Sequence, residues 1–453
     1  MRKIKVLRLF LCMLFLTVGC THSQEASTSK SMTAEVWQKK PAVCSEIIEE
    51  NQYWGIINDL SIYQNNLAVS VPNKNYLVIY TLDDNKQSLN SQVINLPPDE
   101  NGSFKEFAIN ENYLIVGYPR SNRVVVYRPN SQGTWSKTKE IFPPKNSVAA
   151  KVGFGFGQTL ALEDELLVIG ATYSSLDRIN FGLENVNEPK VIGDFKWMAY
   201  GNLYQTRLDR DTEIESIDVD AKQAIWGSSV TLDRGRIAFN TLRSNKNRKQ
   251  GYFKWISEVN LLLPDGSLKT ILPPKDPQNN PGFGLDIAFN DNLLLIGSPD
   301  IDGFPAKSGG AWLYDLNLPE AKPQLFTTSK AIMGDALALS EDFLAIGSSA
   351  SGMYIASDER QKTLVRRLDN GKTTVMDGVG FLSIKGNILL RKQDRSPDFE
   401  IKSILEVFEL DEQAKAHLLE RLINVDDASL ENGLLGTVGE SRNGKRVCLK
   451  QLS

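Results

Sequence analysis

Residues 154 to 173 read Phe-Gly-Phe-Gly-Gln-Thr-Leu-Ala-Leu-Glu-Asp-Glu-Leu-Leu-Val-Ile-Gly-Ala-Thr-Tyr. One apolar run ends at Leu162, a polar turn covers Glu163 to Glu165, and a second apolar run covers Leu166 to Ile169, which predicts a tight β-hairpin. In the first run a small residue, Ala161, stands between Leu160 and Leu162, and the second closes on the small residue Gly170. The same arrangement can be read eight times, with central residues Ser61, Ala108, Ala161, Thr231, Ala288, Ala338, Ser383 and Ser429. The closing residues are Ser70, Gly117, Gly170, Asn240, Gly297 and Gly347, while the seventh copy has Lys392 there and the eighth is out of step by one, at Gly439. Similarity at a period of roughly 40 to 50 residues, with every unit all strand, predicts an all-β propeller of four-stranded blades. Eight copies predict eight blades, and the two degenerate ones leave seven as the alternative.

The rest of each unit follows from its hairpin. Third strands are expected at Tyr76 to Tyr80, Arg123 to Tyr127, Gly251 to Ile256 and Ala311 to Tyr314, and fourth strands at Lys139 to Pro144 and Leu268 to Pro274. Proline pairs in the fourth strands fit an outer edge, because proline cannot donate to a ladder on both sides. The folded part begins instead with a fourth-strand segment, Pro41 to Glu49, and stops after Lys445 to Lys450, which has third-strand character. The N-terminal strand therefore completes the C-terminal blade and closes the ring. Cys44 and Cys448 then lie on neighbouring strands, where a disulfide is favoured over two separate thiols.

The hairpin resembles the FG-GAP repeat of integrin alpha chains and of many bacterial surface proteins. Phe156-Gly157, Trp226-Gly227, Phe283-Gly284 and Trp54-Gly55 carry the opening of that motif, and Gly170-Ala171, Gly297-Ser298-Pro299 and Gly117-Tyr118-Pro119 its close. The resemblance implies a propeller but says little of activity, since propellers host binding and catalysis alike. Integrin repeats often hold calcium in an Asp-x-Asp-x-Asp-Gly loop between the first two strands; no full motif occurs in this chain, so no cofactor or metal is expected. The nearest fragment, Asp300-Ile301-Asp302-Gly303, follows a second strand and reads as a solvated turn.

Residues 1 to 19 read as an export signal, with Arg2, Lys3, Lys5 and Arg8 ahead of an apolar Leu9 to Val18. Their close, Leu16-Thr17-Val18-Gly19-Cys20, resembles the lipobox of bacterial lipoproteins, although Thr17 stands where a leucine is usual. The resemblance implies lipidation at Cys20 and, with Thr21 next, sorting to the outer membrane. Residues 20 to 41 then form a polar tether and 42 to 453 the propeller. Loss of the four basic residues of the signal takes the formal net charge from −4 to −8. A domain that acidic is not expected to attract nucleic acid.

Turns between first and second strands are short, whereas links between second and third strands vary in length, which places recognition on the long-loop face. There the basic loop residues Arg243, Lys246, Arg248 and Lys249 and the acidic pair Asp300 and Asp302 are candidate binding residues. Asp209, Asp211, Glu213, Glu215, Asp218 and Asp220 form an acidic run that can supply paired carboxylates for glycoside chemistry, though alternation with Ile214, Ile217 and Val219 favours a half-exposed strand. After the signal only His22 and His417 remain, which excludes a multi-histidine metal site. The expected protein is a monomeric, non-catalytic outer-membrane platform for a protein partner, its facing side open. A carbohydrate-active enzyme and a calcium-dependent adhesin are the alternatives.

Overall fold

Each of the eight central residues lies opposite the residue seven positions further on. Ser61 faces Ala68, Ala108 Ile115, Ala161 Val168, Thr231 Ala238, Ala288 Leu295, Ala338 Ala345, Ser383 Leu390 and Ser429 Gly436. That constant offset leaves two residues in every hairpin turn. Several are turned with positive φ, at Asp164, Arg234 and Asp291, which matches the right-handed twist of the flanking strands. The turn after Asn110 is held differently, by the Asn110 side chain accepting from the Asn112 and Tyr113 backbone N–H groups at 3.0 and 2.9 Å.

The computed structural model describes residues 42–452 apart from 49–59, 64–65, 72–74, 83–88, 97–105, 154, 175–198, 211–212, 218–222, 245–254, 275–281, 300–308, 329–332, 349–361, 379, 395–402, 424, 432–433 and 442–443. These lie in the unit Lys39–Ser453. Inner strands Leu60–Tyr63, Glu106–Ile109, Phe156–Glu163, Gln223–Asp233, Ile287–Asn290, Ala336–Leu339, Phe381–Lys385 and Val425–Glu431 begin blades 1 to 8. Every blade adds its remaining strands outward in antiparallel order. The protein is thus an eight-bladed β-propeller, and both degenerate copies are complete blades. The eighth copy is out of step because a bulge between Val425 and Asp427 places Gly439 opposite Val425.

Val43–Ile48 pairs with Gly444–Gln451 as the outer strand of blade 8, setting Cys44 opposite Cys448 in a disulfide with a Cα separation of 4.1 Å. Strand boundaries differ from the sequence reading in places. The third strand of blade 4 runs on to Leu262, past the expected end at Ile256, while residues 251–254 of that expected strand lie outside the described residues; the outer strands of blades 2 and 4, Trp135–Ile141 and Leu268–Ile271, end before their proline pairs. Those prolines stop the strands rather than mark their edges. Among the described residues no helix is long and apolar enough to cross a membrane.

Side chains on either face of a blade meet the next blade, so eight apolar clusters fill the eight joints, including one that joins blade 8 to blade 1 through Val438, Val447, Leu67 and Val69. Two of the closing glycines, Gly117 and Gly297, lie where the backbones of neighbouring blades touch. A Cβ at Gly117 would overlap the Gly157 carbonyl of blade 3, and one at Gly297 the Gly334 carbonyl of blade 6. Carboxylates satisfy inner-strand N–H groups that no further strand covers. Asp286 Oδ2 accepts from Leu337 of the next blade at 2.7 Å and its Oδ1 from Ile287 at 2.9 Å. Burial pushes the Asp286 carboxyl up to about 6 despite those two bonds.

Candidate functional site

The turn ends of the blades are tied to one another. Asn110 Nδ2 donates to the Asp164 carbonyl at 2.8 Å, and Glu163 accepts from the Arg234 and Gly235 N–H groups at 2.5 and 2.6 Å. Arg234 in turn pairs with Asp291, Ser340 donates to the Gly386 carbonyl at 3.0 Å, and Lys385 pairs with Glu431 at 3.1 Å. This face therefore carries two polar chains, one running from blade 2 to blade 5 and one from blade 6 to blade 8.

Blade 7 departs from the pattern in its interior. Lys392 replaces the closing glycine, and beside it Arg391 is buried, donating to Glu406 at 3.0 and 2.5 Å and to the Asp377 carbonyl at 2.6 Å. Arg421 reaches the other Glu406 oxygen at 3.0 and 2.5 Å. Burial alone would push the Glu406 carboxyl up, but the two guanidinium groups more than offset it and hold it below the usual range. With every group paired, this cluster is structural.

The joint between blades 3 and 4 is different. A single pair, Gly201 with Ile225, joins them into one eight-stranded sheet, and the inner strand of blade 4 breaks register between Ile225 and Val230. Among the described residues its apolar cluster is the smallest of the eight, with Val168, Leu203, Ile217, Ile237 and Phe239 fully buried. Toward the turn end of this joint a groove of about 320 Å³ opens, lined by Leu166, Gln205, Thr206, Arg207, Arg210, Glu213 and Glu215 on one side and Gly235, Leu262, Leu263, Pro264 and Gly266 on the other.

Charges in the groove are unequally matched. Arg207 pairs with Asp209 at 3.1 Å and Glu165 at 3.4 Å, and Arg210 reaches Asp209 at 3.5 Å. The Arg207 hydrogen bond holds the Asp209 carboxyl below the usual range. Glu215 accepts from the Gln205 amide at 3.2 Å, whereas among the described residues Glu213 has no hydrogen-bond or ionic partner. Both glutamates are exposed.

Of the acidic run, Asp209, Glu213 and Glu215 are described; only Glu215–Ile217 forms strand, with Ile217 buried. His417 lies on blade 7's outer strand, 2.8 Å from Asp411. Arg243 falls in the second strand of blade 4, Arg236–Ser244. Cys20, Lys246, Arg248, Lys249, Asp300, Asp302, Asp211, Asp218 and Asp220 lie outside the described residues. Among the described residues no three acidic, histidine or cysteine side chains cluster as metal ligands. The groove escaped the sequence reading because its walls come from segments some fifty residues apart; the acidic run was its one visible signal.

No protein-family model matches the chain, and no curated protein matches it. Among solved structures, Kluyveromyces lactis Hsv2p is similar over 81% of this chain and 98% of its own, with 13% identity and a TM-score of 0.43. A functionally unknown protein from Desulfotomaculum acetoxidans is similar over 80% and 99%, with 12% identity and a TM-score of 0.40. Saccharomyces cerevisiae Sqt1 is similar over 81% and 97%, with 11% identity and a TM-score of 0.35. Likenesses at this level carry no functional argument.

Proposed function

We propose that this chain is an outer-membrane lipoprotein, held by lipid on Cys20, whose FG-GAP-like propeller is a non-catalytic platform for a protein partner. The observation that carries the reading is the uniformity of the ring. Eight hairpins share one register and one turn length, and a disulfide joins its two ends. A scaffold so regular leaves recognition to the links between second and third strands, among them those bearing Lys246, Arg248, Lys249, Asp300 and Asp302, with Arg243 in the strand that leads into the first of these. The FG-GAP resemblance is supported by the joints, where the opening glycine Gly157 abuts the closing Gly117 of the preceding blade.

The test is photo-crosslinking in intact cells, with the reactive side chain placed at Lys246, Arg248 or Asp302 and captured proteins identified by mass. A discrete protein captured from those positions supports the platform. Glycan cleavage by the purified chain would overturn it. Anchoring is tested separately with an alkyne-bearing fatty acid, whose incorporation should vanish in Cys20→Ala.

A further inference from the structure

We infer that the groove between blades 3 and 4 receives a basic side chain, lysine or arginine, from an extended segment of a protein partner. The inference rests on the platform reading and names one of its contact sites. Its argument begins with what the groove leaves unsatisfied. Arg207 and Arg210 are already paired with Asp209 and Glu165, so neither guanidinium is left without a carboxylate. Among the described residues Glu213 has no partner and Glu215 only a neutral amide. The residual charge is therefore negative, and an incoming anion would meet it as repulsion.

The apolar part of the lining selects the form of the cation. Leu166, Leu262 and Pro264 line the same groove as the two glutamates. A lysine or arginine fits this division, with a hydrocarbon stem for the leucines and a charged head for the carboxylates. A bare metal ion would leave the apolar wall unused, and a fully apolar side chain would leave Glu213 unmatched.

The experiment uses the full chain and a capped, fluorescent peptide of alternating valine and lysine, with a matched peptide carrying norleucine for lysine. The lysine peptide should bind at least about tenfold more tightly than the norleucine one, and lose that advantage in Glu213→Gln/Glu215→Gln. Glu431→Gln, a half-buried acid at another joint, should leave binding unchanged. Its binding should also weaken as salt is raised from about 50 to about 500 mM. Equal affinity for the two peptides, equal affinity of the double variant, or no binding by the wild-type chain at about 1 mM peptide overturns the assignment. The platform reading fails separately: crosslinks from the long-loop positions can persist when peptide binding is absent, and can be missing when it is present.

Discussion

The joint between blades 5 and 6 and the joint between blades 3 and 4 are built from the same repeat, yet one is tight at its closing glycine and the other holds a groove. At the first, Gly297 lies directly against the Gly334 carbonyl of the next blade, and Asp286 crosses to the Leu337 N–H. At the second, the equivalent glycine, Gly170, has as its nearest neighbour Thr159 of its own blade. At its closing glycine the first joint is set backbone to backbone and the second is not, and the groove of the second lies at the opposite, turn end of the strands.

The comparison can be tested from the strongest effect downward. Both joints depend on ring closure, so Cys44→Ala/Cys448→Ala should lower unfolding free energy by about 4 kcal/mol in urea titration, with full retention of stability counting against the closure. Gly297→Ala should then cost about 3 kcal/mol, because the clash is with backbone, whereas Gly170→Ala should cost about 1 kcal/mol, its new methyl meeting only Thr159. Similar losses for the two would erase the distinction between the joints.

Asp286 gives the closed joint a pH signature. Its folded carboxyl is raised to about 6, so between about pH 4 and that value the folded chain binds more protons than the unfolded one and stability falls as pH rises. The decline should be about 2 kcal/mol across that window and be absent in Asp286→Asn, measured as urea midpoint against pH. The smallest effect belongs to the open joint. Glu213→Gln/Glu215→Gln removes exposed charges and should change stability by less than about 0.5 kcal/mol.

The ring itself was legible because a small residue between two larger ones marks every inner strand from Ser61 to Ser429, and a two-residue turn fixes where its partner must lie. Blade 4 was legible only in part. The aromatics Tyr252, Phe253 and Trp255 set the expected end of the third strand at Ile256, whereas the strand runs on to Leu262 and alternates buried Val259 and Leu261 with buried Glu258 and Asn260. Polar residues inside a joint look like surface residues in a sequence. Asn260 is enclosed because Thr241 and Thr270 satisfy its amide at 2.7 and 2.8 Å, a pairing that no local pattern announces. The groove was hidden for a related reason: Glu213 and Leu263 become neighbours only once two blades are set side by side.

The position of Val43–Ile48 imposes an order of events on the newborn chain. This strand is made before any of the eight inner strands, yet its partner among the described strands follows 404 residues later, when Cys448 emerges. At roughly 5–20 residues per second, that is a wait of roughly 20–80 s during which the eighth blade has no rim. Until its tail is made the molecule stays an unlatched arc, a state still open to being threaded through a pore or held by a chaperone.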